Sequence, residues 1–137
     1  MDVVQLLHMT GRSTALSRTD AKRHFQRWCE TFLDSVRQST GSFRYRGMHW
    51  HAFSFGLVNA REKKVAFDLY NREEPVPLII IPEQWEKGRL GWRFVGGKNP
   101  DLTDAKLDLY VFPESAHWTM VFTHEQPGTG PFFVCNK

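Results

Sequence analysis

The spacing of apolar residues in the first third of the chain predicts an amphipathic helix. Ser17 or Thr19 can cap its first N–H groups, and Gly41 supplies a stop signal. Apolar residues between these two signals recur at every third or fourth position, which is the period of a helix. They are Phe25, Trp28, Cys29, Phe32, Leu33 and Val36. We therefore predict one helix that runs from about residue 17 to about Ser39.

Alternating and β-branched runs predict strands in the remainder of the chain. Residues 43–55 alternate in character, as a half-buried strand would. Residues 77–82 form an apolar run bracketed by prolines, which is typical of a central strand buried on both faces. A short strand is predicted around residues 92–95. Residues 108–112 and 118–123, joined by a five-residue turn, predict an antiparallel hairpin.

The order of these elements predicts an α+β domain. Residues 58–72 have the spacing of a second amphipathic helix, and residues 131–134 can add a last edge strand. Residues 1–16 lack clear periodicity and are expected to form a loosely ordered arm or a short opening element. We predict a single domain over residues 1–137, with a mostly antiparallel sheet of about five strands and two helices packed on one face.

Composition and charge narrow the class of protein without naming a function. Apolar residues make up 41% of the 137 residues and aromatic residues 14%, so we expect an aromatic-rich core rather than disorder. The net charge of +3 permits an anionic partner but does not require one. Cys29 and Cys135 are predicted to be reduced thiols. The chain shows neither a signal-peptide pattern nor a membrane-length apolar run, so we predict a cytoplasmic protein.

Six histidines raise the question of a metal site. If residues 43–55 form a strand, His49 and His51 project from the same face, where His117, His124 or Glu125 could complete a tetrahedral set. The acidic residue that cupin-type sites place shortly after such a pair is absent. We therefore predict no metal and no cofactor.

Acid–base catalysis is an alternative hypothesis for the same residues. Imidazole titrates nearest to neutral pH, and a carboxylate such as Glu125 could orient His124 or His51. These three residues could serve a small hydrolase or a nuclease-like enzyme. No nucleophile motif accompanies them, and a His-Glu pair at a strand end can equally make turn hydrogen bonds.

Nucleic-acid binding is the second alternative. The predicted first helix is basic, and the segment Phe43-Arg44-Tyr45-Arg46 alternates aromatic rings with cations, a combination that can stack bases and neutralise phosphates. The hypothesis requires one shared exposed face for the basic residues Arg18, Lys22, Arg23, Arg27, Arg44 and Arg46. Glu30 and Asp34 interrupt this basic surface, and no complete nucleic-acid-binding signature is present.

Four motifs carry a resemblance to a family of small uncharacterised bacterial proteins, a domain of unknown function. They are Trp-His-x-Phe-Ser at 50–54, Phe-Pro at 112–113, Trp-Thr-x-Val-x-Thr-His-Glu at 118–125 and Gly-Pro-Phe-Phe at 130–133. The resemblance implies a stand-alone bacterial domain, a class that often comprises immunity proteins or inhibitors of one partner protein. It also implies that His51, Trp118, His124 and Glu125 lie on any site that the motifs form.

The leading expectation is a non-enzymatic protein-binding domain that neutralises a toxin or effector. A protein interface needs aromatic and arginine anchors, which this chain can provide, and a basic binder suits a partner with an acidic surface. The candidate binding residues are Trp50, His51, Trp118, His124, Glu125, Arg44 and Arg46.

Overall fold

A computed structural model describes residues 1–136 and has one seven-stranded antiparallel sheet with five α-helices. The strands are β1 (Gly11–Ala15), β2 (Arg61–Glu62), β3 (Leu78–Pro82), β4 (Trp92–Gly96), β5 (Leu109–Pro113), β6 (Trp118–Phe122) and β7 (Phe132–Cys135). The helices are α1 (Val3–His8), α2 (Arg18–Phe32), α3 (Asp34–Thr40), α4 (His51–Ser54) and α5 (Lys63–Arg72). The strand order is β1-β4-β3-β5-β6-β7-β2. The α+β class and the antiparallel sheet are confirmed, whereas the expected numbers of strands and helices are too low.

Helices cover both faces of the sheet, so the prediction of two helices on one face is wrong. Side chains of β3 alternate between the faces: Ile79 and Ile81 pack with α2, whereas Leu78 and Ile80 pack with α1 and α5. All four are fully buried. A strand that is apolar on both sides must be covered on both sides, which explains why helices pack on each face of the sheet.

A buried hydroxyl joins α2 to the sheet. The Trp28 Nε1–H donates to Thr119 Oγ1 over 2.9 Å, and the Thr119 hydroxyl donates to the Val111 carbonyl over 2.9 Å. Trp28 and Thr119 are both fully buried. The bridge gives partners to two polar groups that would otherwise be costly to bury.

The single helix predicted from residue 17 to Ser39 is two helices. Ser17 caps α2 through a bond to the Asp20 N–H, and Gly41 ends α3 with a φ of 86°, as expected. Leu33 lies between the helices with a non-helical backbone, φ −121° and ψ 13°. Leu33 at the break and Val36 after it are both fully buried. One non-helical residue barely disturbs an apolar period, which is why the pattern did not reveal the break.

The N-terminal segment, predicted as a loosely ordered arm or a short opening element, forms α1 and β1. Asp2 and Gln5 form a reciprocal capping box at the start of α1, and Leu7 is fully buried. The following strand, β1, pairs with β4 from Gly11↔Gly96 to Ala15↔Trp92. A six-residue helix and a polar edge strand are both too short or too exposed to produce a clear apolar period.

The strand predicted over residues 43–55 is absent, and a turn followed by α4 occupies its place. Arg46 (φ 50°) and Gly47 (φ 91°) reverse the chain, and Tyr45 and Met48 form an isolated bridge. Ala52 and Phe53 are consecutive buried residues, which a helix can bury side by side and a half-exposed strand cannot. His49 and His51 therefore do not share a strand face.

Several other predictions hold with adjusted bounds. The central strand β3 and the β5–β6 hairpin form as expected, and β4 covers the short strand predicted around residues 92–95. The second helix starts at Lys63 rather than near Val58, because β2 precedes it. β2 also pairs outside β7, so β7 is not the edge strand. Within residues 1–136, no helix combines the length and apolar character needed to cross a membrane.

Candidate functional site

An exposed cluster of aromatic rings and one arginine surrounds α4. We call Tyr45, Arg46, His51 and Phe55 the aromatic patch. The Arg46 guanidinium carbon lies 4.8 Å from the centroid of the Phe55 ring and 5.5 Å from that of Tyr45. Phe55 is 52% exposed, although it is a large apolar side chain. Stacking between rings and a guanidinium holds these groups in a defined arrangement at the surface.

Two backbone carbonyls fix the orientation of His51. Its Nδ1 lies 3.1 Å from the Tyr45 oxygen and 3.0 Å from the Arg46 oxygen. Carbonyl oxygens only accept hydrogen bonds, so Nδ1 carries the proton and acts as the donor. The ring lies 5.5 Å from Phe55 and 4.5 Å from Trp50, centroid to centroid. His51 thus braces the turn that presents Arg46.

Trp50 connects the aromatic patch with the end of the β5–β6 hairpin. It is 1% exposed and stacks on Phe132 with a centroid separation of 6.3 Å. The His124 ring lies 6.1 Å from it. The buried Trp50 Nε1–H has no hydrogen-bond partner within residues 1–136. Trp50 is therefore a core residue beneath the candidate site and offers almost no surface for direct contact.

His124 is held by carboxylates on its two ring nitrogens. Its Nδ1 lies 2.8 and 2.9 Å from the two carboxylate oxygens of Asp108, and its backbone N–H donates to the same group over 2.8 Å. Its Nε2 lies 3.6 Å from Glu125 Oε2. The hydrogen bond to Asp108, together with the charges of Asp108 and Glu125, raises the pKa of His124 against the opposing effect of partial burial.

The raised pKa of His124 predicts a pH-dependent contribution to stability. A folded-state pKa above the ordinary value of 6.5 stabilises the fold fully below that value, and the contribution is lost as pH rises through the folded pKa. We expect His124→Gln to lower the melting temperature more at pH 5.5 than at pH 8.5. Thermal unfolding of both proteins at the two pH values tests this. An equal loss at both would contradict it.

A cavity of about 510 Å³ opens beside His124. It lies between the first turns of α5, the 3₁₀ turn at Thr103–Ala105 and the segment that joins β6 to β7. Its lining combines exposed residues, among them three lysines, His124 and Pro127, with buried or half-buried apolar and neutral polar groups. The lining residues are Lys63, Lys64, Phe67, Thr103, Lys106, Thr123, His124, Gln126, Pro127, Gly130 and Pro131.

The remaining predicted binding residues differ in whether their side chains reach the surface. Glu125 is exposed beside His124. Arg44 is about half exposed and lies 3.8 Å from the carboxylate of Glu83. Trp118 is 1% exposed and packs in the core on the α5 side of the sheet, away from Trp50. The hairpin motif places Trp118 in a strand that is buried on both faces, so it is a structural residue.

The three residues of the acid–base alternative do not line one cavity. His124 lines the cavity beside α5, whereas His51 does not. The Nδ1 atoms of His51 and His124 are occupied by different partners, two carbonyls in one case and Asp108 in the other. No group of three His, Cys, Asp or Glu side chains within residues 1–136 could hold a metal ion.

Sequence reasoning missed a buried polar network centred on Glu83. Glu83 accepts hydrogen bonds from the His49 backbone N–H over 2.9 Å and from the Tyr110 hydroxyl over 2.5 Å, and its second oxygen lies 2.5 Å from His49 Nδ1. Burial and the neighbouring Glu83 raise the pKa of Tyr110 well above its ordinary value. The sequence offers one sign of this network, which is the position of the acidic Glu83 directly after the buried strand β3.

The basic residues of the nucleic-acid alternative are dispersed among different contacts. Arg23 lies 3.4 Å from Asp20, and Arg27 donates to the Ser115 carbonyl over 3.2 Å. Lys22 and Arg44 instead line a separate cavity of about 260 Å³ with the buried Cys29. Burial and nearby Glu83 raise the pKa of the Cys29 thiol, which disfavours the reactive thiolate. Both cysteines are free.

Comparison with protein-family models, with curated proteins and with solved structures finds no significant match to this chain. The resemblance to an uncharacterised bacterial family therefore rests on its four motifs alone. Of the residues in those motifs, His51, His124 and Glu125 reach the surface around Trp50, and Trp118 does not. No family assignment follows from the comparisons.

Proposed function

We propose that this chain is a protein-binding domain that recognises an acidic partner through the aromatic patch. The observation that carries the proposal is the stacking of Arg46 on the exposed Phe55 ring, 4.8 Å from its centroid, with Tyr45 beside it. Arginine and aromatic side chains are the residues that most often dominate the binding energy of protein interfaces.

Backbone geometry supports a functional role for Arg46. Its φ of 50° lies in the left-handed region, which non-glycine residues adopt at a cost of roughly 1–3 kcal/mol. Such strain persists where the surroundings enforce it, and here the His51 ring bonds the Arg46 carbonyl. The turn fixes the Arg46 backbone and stacking on Phe55 restricts the guanidinium, which together reduce the entropy lost on binding.

Charge favours an acidic partner. The net charge is +3, and Arg46 has no carboxylate within 4 Å among the described residues. A cation that lacks a partner in the free protein can pair with a carboxylate across an interface at little cost to its own fold. Toxin or effector neutralisation, as in an immunity protein, is the specific role that we propose for such binding.

The proposal predicts that either of two surface substitutions weakens binding strongly and leaves the fold intact. Affinity capture with the wild-type chain supplies the partner, and titration calorimetry then compares the variants with that purified partner. We expect Arg46→Ala and Phe55→Ala each to weaken binding by about thirtyfold, which corresponds to about 2 kcal/mol for a dominant interface residue.

A matched pair of controls separates the patch from general surface effects. Arg12 and Val95 are exposed on β1 and β4, towards the opposite edge of the sheet, so Arg12→Ala removes an exposed guanidinium and Val95→Ala an exposed apolar side chain elsewhere. We expect both controls to bind like the wild type. Weakening by the controls, or unchanged binding by both patch variants, would refute the patch as the interface.

A further inference from the structure

The cavity beside α5 combines an apolar interior with a cationic rim. Phe67 and Pro131 are half-buried or buried in it, whereas Lys63, Lys64 and Lys106 are exposed at its edge. None of the lining residues found within residues 1–136 is acidic. Its volume of about 510 Å³ lies within the roughly 300–1,000 Å³ typical of small-molecule sites.

The neutral polar groups of the lining already make hydrogen bonds within the protein. Gln126 accepts from the Thr123 backbone N–H over 2.9 Å and donates to Thr103 Oγ1 over 3.3 Å. The Thr123 hydroxyl donates to the Thr129 carbonyl over 2.5 Å. These groups hold the wall in place, so the lysine ammonium groups are the main donors left for a ligand.

Two of the three lysines have no ionic partner in the described part of the chain. Lys64 lies 3.0 Å from Asp68, whereas Lys63 and Lys106 form no ion pair there. Asp108 and Glu125 stand near the cavity, but both are engaged with His124. Within residues 1–136 the rim therefore holds two cations that form no ion pair within 4 Å.

Backbone strain coincides with these two lysines. Four non-glycine residues within 1–136 have a positive φ, and Lys63 (58°) and Lys106 (53°) are two of them. Left-handed backbone in bulky residues is uncommon and concentrates at binding sites. One lysine begins α5 and the other follows the 3₁₀ turn, so two separate elements adopt strained backbone at the edge of the same cavity.

We propose that this cavity binds a small organic anion, with its apolar body on Phe67 and Pro131 and its carboxylate or phosphate group between Lys63 and Lys106. Lysine serves as a point charge for either headgroup, so the shared feature is a compact oxyanion on an apolar body. This site is distinct from the aromatic patch, because no residue of the patch lines the cavity.

Three probes with one ring system test the proposal. 2-Naphthoate and 2-naphthyl phosphate carry the two headgroups, and 2-naphthol supplies the same apolar body without a charge at pH 7. Amide NMR spectra of the full chain, recorded during each titration, report both affinity and location. We expect at least one anion to give saturable shifts at Lys63, Phe67 and Gly130, and 2-naphthol to bind at least tenfold more weakly.

Charge-matched variants complete the test. We expect the double variant Lys63→Gln, Lys106→Gln to lower the affinity for the better anion at least tenfold. The control Lys87→Gln, Lys98→Gln removes two exposed lysines outside the cavity and should bind like the wild type. The anion that binds more tightly identifies the headgroup. Equal binding of 2-naphthol, shifts remote from the cavity, equal losses in both double variants, or no saturation by either anion would overturn the proposal.

Discussion

Replacing Trp118 with alanine should lower the free energy of unfolding by about 3–5 kcal/mol, the range for removing a buried tryptophan side chain. Trp118 is 1% exposed, stacks on Phe133 at 5.8 Å and meets Tyr70 at 5.7 Å between ring centroids. Alanine would leave a large void between β6, β7 and α5 that these rings cannot fill without moving. Urea denaturation followed by circular dichroism measures the change.

The neighbouring residue provides the control for this loss. The His117 side chain is 54% exposed, so His117→Ala should stay within about 0.5 kcal/mol of the wild type. A Trp118→Ala protein that unfolds at the wild-type urea concentration would contradict the assignment of Trp118 to the core. Where Trp118→Ala remains folded, we expect it to bind the captured partner with wild-type affinity, because its ring does not reach the surface.

Replacing Glu83 with alanine is expected to cost about 3 kcal/mol or more. Its side chain is 4% exposed and is the acceptor for the His49 backbone N–H and the Tyr110 hydroxyl, with His49 Nδ1 also in contact. Alanine leaves these buried groups without their partner, and each such orphan costs roughly 1–3 kcal/mol. Chemical denaturation again provides the measurement.

Two further variants identify the cause of the Glu83 effect. Glu83→Gln keeps an acceptor oxygen and should lie between the wild type and Glu83→Ala. Glu86→Ala removes an exposed carboxylate three residues away and should change stability by less than about 0.5 kcal/mol. Equal losses for Glu83→Ala and Glu86→Ala would show that burial of the hydrogen-bond network is not the source.

The sequence reveals best those elements that are buried on both sides. Pro77 and Pro82 bracket four apolar residues, and β3 forms there in the middle of the sheet. The capping and stop signals at Ser17 and Gly41 also mark helix ends correctly, because each acts through its own local geometry. The number of strands was underestimated because β1 and β2 lie at the two edges, where exposed polar residues such as Arg12 leave no apolar pattern.

The candidate site was harder to predict because its contacts join distant positions. His49 contacts Glu83 across a sequence separation of 34 residues, and His124 contacts Asp108 across one of 16 residues. No local spacing therefore links either pair. The single interpretation that residues 43–55 form a strand also misplaced His49 and His51. Two residues with left-handed backbone, Arg46 and Gly47, make that segment a turn instead of a strand. Only Gly47 is of a residue type that signals such a turn in the sequence.

The buried bridge from Trp28 through Thr119 to Val111 favours one alignment of α2 on the sheet over others. Most contacts between α2 and the sheet are apolar, and apolar surfaces tolerate small shifts. A slide of α2 by one turn, about 5.4 Å, would separate the indole N–H from the Thr119 hydroxyl and leave the indole N–H without its partner in an apolar interior, whereas Thr119 would keep its bond to the Val111 carbonyl. The Thr119 hydroxyl thus discriminates against alignments of α2 that break this bond. Thr119→Val would conserve the shape of the side chain and remove that discrimination.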